Sequence, residues 1–375
     1  SCLISSKTPQ AFLLKACDLA RMGTGMPAVY NADELVVALM DKGKSLVDAR
    51  TGGINGCVEI SGQGNDFMAS SGYVNLSKAL ELTLNNGASL TTGRQWGPET
   101  GSASKIGSME ELWEAFTTQM TTLVALKHRY DMGAMSAFAA TCPVLCTSML
   151  VDDCISDARD YHDGGARYDL PMMCGVGTGT VADSLAAIEQ FVFQEKQFSL
   201  SKLVQAMRAN FEGHPDLHRR ISQKAPKFGN DNEAADQQGV RLVNTFVRIL
   251  KGFSNSRGNR YAANMIPTTT HLPFGDKTAA SPDGRLTGAP LAEGISPVQG
   301  KDLAGPTAVV KTMGKIDHAA TAGTLLNMKF SPDTLAGDLG LRKFAALIRT
   351  YFDLGGHHMQ FNVVSRQTLL AAQAD

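Results

Sequence analysis

Two side chains of complementary chemistry stand two residues apart in Gly56-Cys57-Val58-Glu59. A thiol can give up or take back a hydrogen atom, and a carboxylate moves protons. Together they suit a reaction in which a sulfur-centred radical takes a hydrogen atom from an unactivated C–H bond, while the carboxylate passes a proton to or from a hydroxyl or other leaving group. The flanks read as a loop: Thr51-Gly52-Gly53-Ile54-Asn55-Gly56 leads in with turn formers, and Ser61-Gly62-Gln63-Gly64-Asn65-Asp66 follows. A core cysteine belongs on an apolar helix or strand face, and Cys57 has no such neighbours. Extended chain at this point would turn Cys57 and Glu59 to the same side. The competing reading is a surface loop that carries a cysteine and a glutamate by chance.

Other clusters are weaker. Cys142-x3-Cys146, with Cys154 beyond, lacks the spacing of paired zinc knuckles and lies among Val144, Leu145, Leu150 and Val151, so core thiols are expected. Gly175-Val176-Gly177-Thr178-Gly179-Thr180 has threonine where a dinucleotide loop needs its third glycine, no strong strand signal before it, and no P-loop lysine. Its glycines are expected to let a helix start lie close to a neighbouring strand. His357 and His358 are adjacent on an extended segment, which turns them to opposite faces, one buried and one exposed. His271 reads as a strand residue within Met265–Leu272, and Arg159, Asp160, Arg167 and Asp169 read as ion pairs around the Gly164-Gly165 turn.

The elements that must position these groups follow from periodicity. Apolar stripes predict helices over Thr8–Met22, Asp33–Lys42, Leu76–Asn86, Asp183–Glu195, Asn232–Leu250 and Gly340–Leu354. In Asp33–Lys42 the stripe is Leu35, Val36, Leu39 and Met40. Ser108-Met109-Glu110-Glu111 has the spacing of a capping box and opens a long helix through Trp113, Phe116, Met120 and Leu123. Beyond Phe253 short apolar runs alternate with Gly, Pro, Asp and Ser turns, and Met265–Leu272 and Met359–Val364 read as strands. Alternating helices and short strands predict an α/β architecture, with a helix-rich barrel favoured over an open doubly wound sheet.

The chain has 375 residues, 35 basic and 36 acidic side chains and a net charge of -1. Length alone suggests two domains. The balanced charge, with no basic run, argues against a nucleic-acid partner. No apolar run is long enough to span a membrane, and Ser1–Ser6 has no signal-peptide pattern. Seven scattered cysteines predict a reducing, cytoplasmic setting rather than a disulfide framework.

Over essentially its whole length the sequence resembles the glycyl radical enzymes of the pyruvate formate-lyase and glycerol/diol dehydratase superfamily. The resemblance runs through Gly56–Glu59, Gly72–Leu76, Leu80–Gly87, Asp152–Ile155, Gly164–Tyr168, Pro226–Asp231, Ser281–Arg285, Gly294–Pro297, Gly323–Asn327, Gln360–Val363 and Leu369–Gln373. It implies part of a helix-wrapped ten-stranded α/β barrel, with residues 1–375 as one barrel-core domain, the cysteine loop entering its centre and the glycyl radical domain missing. It implies that Cys57 becomes a thiyl radical and that Glu59 is the acid/base of a dehydratase or eliminase, acting on a small polar substrate that loses water or another group. Gly56 stands where formate-lyase members carry a second cysteine, which argues against acyl transfer. Tyr73, Asn264, Met265, Ile266 and Thr268 are the substrate-binding positions by the same resemblance, and Arg260 is the nearby cation that a sulfonate would need.

A sulfonate C–S lyase, an amine lyase and an arylacetate decarboxylase are the alternatives within the family; a silent fragment that needs a partner chain is the alternative outside catalysis. No bound cofactor and no metal are expected; the radical is installed on a glycine by a radical-SAM activating enzyme, and the full-length protein is expected to be a homodimer. The family's Arg-Val-x-Gly-Tyr radical loop does not occur in the sequence, which runs to Gln373-Ala374-Asp375.

Overall fold

The computed structural model describes residues 1–374, with the backbone alone for 69–71. The described strands are β1 (Cys2–Ile4), β2 (Val29–Asn31), β3 (Gly53–Asn55), β4 (Glu59–Ser61), β5 (Asp66–Asn75), β6 (Tyr168–Val176), β7 (Ala262–Asn264), β8 (Asn327–Phe330) and β9 (His358–Val363). They form a sheet β1-β2-β9-β8, a hairpin β3-β4 and a parallel sheet β5-β6-β7. A bridge between Met265 and Thr324 continues the line of β7. Among the described residues the three sheets do not close into a ring.

Strand β6 has sheet partners on both sides and is buried from Leu170 onward, which accounts for its nearly unbroken Leu-Pro-Met-Met-Cys-Gly-Val sequence. A helix Thr178–Ile188 follows at once, buried along its whole length, and packs against the helix Glu233–Leu250. The glycine-rich segment is therefore a strand-to-helix turn. The strand before it went unread because an all-apolar run has no alternation to detect. Gly179 lies where a Cβ would sit 2.8 Å from the Ser296 carbonyl oxygen, so close approach explains it without a phosphate.

The predicted helices form, with ends displaced by a few residues. Ser108 caps the helix Met109–Thr141 by accepting from Glu111 N at 3.2 Å, and the Glu111 carboxylate returns to Gly107 N at 2.8 Å, one residue outside the usual box.

Three local expectations fail for physical reasons. The strand expected over Met265–Leu272 does not form: β7 ends at Asn264, Pro267 has no N–H to offer, and Thr268 and Thr269 take φ of +41° and +63°. His271 accordingly begins a short helix, His271–Asp276. His357 and His358 are both buried: His358 opens β9, and His357, just before it, is enclosed between Glu34 and the Val58 carbonyl. Cys142 and Cys146 are exposed rather than core thiols; their apolar neighbours Leu145 and Leu150 are exposed too, 69% and 81%, so local apolarity misled. Among the described residues, no helix is long and apolar enough to cross a membrane.

Candidate active site

Strands β3 and β4 pair antiparallel, and Gly56-Cys57-Val58 is the connection between them. Cys57 is thus exposed at the tip of a tight hairpin. Its backbone is turned rather than extended, so Cys57 and Glu59 are not brought together by strand alternation. The Glu59 carboxylate instead folds back: Oε2 accepts from Cys57 N and from Val58 N, both at 2.9 Å. A carboxylate that takes two consecutive backbone N–H groups fixes a turn and is itself fixed by it. Glu59 is 8% exposed.

The turn is held from outside as well. Tyr30, on β2, donates its hydroxyl to the Cys57 carbonyl at 2.5 Å. The Val58 carbonyl accepts from His357 Nε2 at 2.9 Å, and His357 Nδ1 meets Glu34 Oε2 at 2.6 Å. Ile60 N donates to Ala322 O at 3.1 Å, which docks the hairpin against the segment Ala322–Leu325. The Val58 side chain enters an apolar cluster with Ala28, Tyr30, Cys174, Ile266 and Leu325, and Tyr73 packs at its edge.

Electrostatics favour the neutral thiol. Burial and the Glu59 charge push the Cys57 thiol above its usual value, against a Thr268 hydrogen bond that favours the thiolate. At neutral pH Cys57 therefore carries an S–H bond, the form suited to hydrogen-atom exchange and unsuited to nucleophilic attack. Burial opposes charge on His357, but the Glu34 charge and the hydrogen bonds to Glu34 and Val58 outweigh it and raise its pKa. Both ring nitrogens face acceptors, so the imidazolium satisfies both partners.

The sequence-predicted residues fall into two groups. Thr268 lies by the Cys57 thiol and acts to lower its pKa, and Ile266 and Tyr73 share the cluster beneath Val58. Asn264 is fully buried beside Cys174 in the sheet register, with its Oδ1 unpaired. Met265 turns the other way, into the helix-side core, where its methyl group lies against Gly175. Arg260 lines a separate cavity of about 400 Å³ with Asp41, Lys42, Lys251 and Tyr261, and Cys57, Glu59 and Thr268 are not part of that lining. Sequence reasoning missed Tyr30, Glu34 and the structural use of His357. Among the described residues, no group of three His, Cys, Asp or Glu side chains is arranged to hold a metal ion.

Comparison with known proteins supplies the context for this geometry. A family model described as pyruvate formate lyase-like matches residues 1–275, and one described as glycine radical matches residues 291–375. The second match corrects the expectation that the glycyl radical domain is missing: residues 291–375 match it. The chain is 44% identical to trans-4-hydroxy-L-proline dehydratase of Clostridioides difficile, over 99% of this chain and 47% of that protein. It is 34% identical to isethionate sulfite-lyase of Oleidesulfovibrio alaskensis, over 99% of this chain and 46% of that protein. The crystal structure of the C. difficile hydroxyproline dehydratase with its substrate bound superposes with a TM-score of 0.97 at 43% identity, over 100% of this chain and 47% of that one. The chain thus spans about half the length of the relatives it matches.

Proposed function

The chain belongs to the pyruvate formate lyase-like family of glycyl radical enzymes, and from that premise we propose that the protein of which it forms the cysteine-loop part is a radical lyase of the dehydratase type, with Cys57 and Glu59 as its reacting pair. The observation that carries the reading is the hairpin tip itself: a neutral, exposed thiol one turn from a carboxylate whose two recorded hydrogen bonds both end on Oε2. The glycyl radical, when present, supplies the unpaired electron that turns the Cys57 thiol into a thiyl radical.

The rest belongs to this chain. Cys57 Sγ takes a hydrogen atom from a substrate C–H bond next to the carbon that bears the leaving hydroxyl, so one S–H bond forms as one C–H bond breaks. Glu59, through Oε1, takes a proton from the substrate radical and delivers one to the departing hydroxyl, which leaves as water. The product radical then takes the hydrogen atom back from Cys57, and the net change is loss of water. Thr268 beside the thiol, with Tyr73, Ile266 and Asn264 around it, forms the near wall of the substrate site; Met265 contributes from behind the sheet by packing.

The identity to a trans-4-hydroxy-L-proline dehydratase makes a small hydroxylated amino acid the first substrate to test. A sulfonate is disfavoured by the position of Arg260, which lines a different cavity. An activating enzyme of the radical-SAM type, a homodimer and a cytoplasmic setting follow from the same family reading. The test is the full-length, radical-loaded protein offered trans-4-hydroxy-L-proline, 1,2-propanediol, glycerol, isethionate, choline and indoleacetate in parallel. Turnover of a hydroxylated substrate with release of water supports the proposal. Turnover confined to isethionate or indoleacetate would replace dehydration by C–S cleavage or decarboxylation.

A further inference from the structure

We propose that Glu34 and His357 are positioning residues, a buried carboxylate–imidazole brace that holds the Val58 carbonyl and so fixes the turn presenting Cys57 and Glu59. The inference rests on the proposed function for its catalytic consequence alone; the brace is a matter of geometry. One residue, Val58, links the two ends. Val58 O accepts from His357 Nε2, and Val58 N donates to Glu59 Oε2. A shift of His357 therefore changes where the Glu59 carboxylate sits.

The brace is assembled before it meets the turn. Asn31 N donates to His357 O at 2.9 Å, which fixes the histidine backbone. The Asn31 side chain caps the helix that carries Glu34, accepting from Asp33 N and from Glu34 N itself at 3.2 Å each. It also donates to Phe352 O and Gly356 O, the segment just before His357. One asparagine thus ties together the elements that bring Glu34 and His357 to 2.6 Å.

Burial makes the pair costly. Glu34 and His357 are 8% and 1% exposed, and a buried ion pair rarely gains on an apolar replacement in stability alone. Its neighbours show that a buried histidine here need not reach the turn. His358 accepts from Leu326 N through Nδ1. His318 bonds to Thr324 Oγ1 and Met313 O. Neither is recorded in a bond to residues 56–59. Tyr30, whose ring lies 6.2 Å from that of His357, holds the Cys57 carbonyl, so successive carbonyls of the turn are clamped by adjacent side chains.

The experiment is amide hydrogen exchange at Cys57 and Val58, with site-resolved iodoacetamide labelling of Cys57, in the protein without its radical. The variants are His357→Leu, His357→Gln and Glu34→Gln. His357→Leu should raise exchange at both amides by about tenfold or more, on the scale of one hydrogen bond, and should change the Cys57 labelling rate, while amides of the helix Gly337–Asp353 keep their protection. His357→Gln retains a donor for the Val58 carbonyl and should move both readouts back toward the wild type; Glu34→Gln should fall between. If His357→Leu loses protection throughout, the nearly isosteric Glu34→Gln decides by the same two readouts. Unchanged exchange at Cys57 and Val58 in His357→Leu, or in Glu34→Gln where that variant decides, overturns the brace. No turnover is needed, so a protein inactive on every substrate would reject the proposed function and leave this result standing.

Discussion

Gly323 has no room for a side chain. Its φ is +137°, and a Cβ there would stand 2.4 Å from the Val58 carbonyl oxygen and 3.4 Å from Glu59 Cα. Ordinary contact needs about 3.5 Å, so the carbonyl would have to retreat by roughly 1 Å. It is not free to do so, because it accepts from His357 at 2.9 Å. The Gly323 side is fixed too, by Met265 N to Gly323 O at 2.9 Å and Ile60 N to Ala322 O at 3.1 Å.

Gly323→Ala should therefore cost about 1–3 kcal/mol for overpacking and about 1–2 kcal/mol for a side chain in a glycine conformation. Gly355→Ala is the control: φ is +85°, with nothing within 4 Å of the new Cβ, so only the conformational cost applies. Chemical denaturation followed by circular dichroism should place Gly323→Ala below Gly355→Ala by about 1–3 kcal/mol. In the radical-loaded enzyme Gly323→Ala should also lose about 100-fold in turnover, the usual penalty for a reacting group misplaced by about 1 Å. Equal stability of the two variants would refute the close-contact reasoning.

Four further outcomes follow. Glu59→Gln keeps an acceptor for Cys57 N and Val58 N, so its melting temperature should stay near the wild type while turnover falls by about 10²–10⁴-fold; Glu59→Ala should lose both, with about 1–3 kcal/mol of stability. Because burial and Glu59 raise the Cys57 thiol pKa, its iodoacetamide rate should rise only at pH above that of free cysteine, and Glu59→Gln should move the profile to lower pH. Buried Arg285 donates to Ser281 Oγ and to the carbonyls of Thr278, Ala279, Leu286 and Ala289; Arg285→Lys cannot span that set and should cost about 2–4 kcal/mol by urea denaturation.

The fourth concerns acid stability. Burial holds His318 at a pKa of about 4, below the ordinary 6.5. The unfolded chain then takes up that proton first as pH falls. Stability present above 6.5 is lost progressively down to about 4, by about 3 kcal/mol. His318→Gln should flatten the pH dependence of unfolding in that window, and an unchanged slope would contradict the assignment.

The loop that carries Cys57 was legible because its signals are local: turn formers lead into it and Gly56, at positive φ, marks the turn itself. The strands Gly53–Asn55 and Glu59–Ser61 that make it a hairpin were not read, and polar neighbours alone do not expose a cysteine, since Cys154 among aspartates is buried. Thr268 came from family resemblance, and no propensity predicts it, since two threonines at positive φ defy the strand preference of the residues around them. The clamps were illegible for another reason. Tyr30 lies 27 positions from Cys57, and His357 lies 299 from Val58. Glu34 was hidden inside a good amphipathic helix: the apolar stripe was read as Leu35, Val36, Leu39 and Met40, whereas the structure buries Leu35, Ala38 and Leu39 with Glu34 among them and exposes Met40. A charged residue on a buried face is visible only once its partner across the fold is known.

The central claim is that Cys57 is the atom-transfer group, and the substitution Cys57→Ser tests it most directly. A hydroxyl is nearly isosteric with the thiol, but its O–H bond is too strong to exchange a hydrogen atom with a carbon radical. The full-length protein carrying Cys57→Ser, loaded with its glycyl radical and checked by electron paramagnetic resonance, should keep the radical signal and form no product from any substrate the wild type turns over. Product formation by that variant at the wild-type rate would contradict the account.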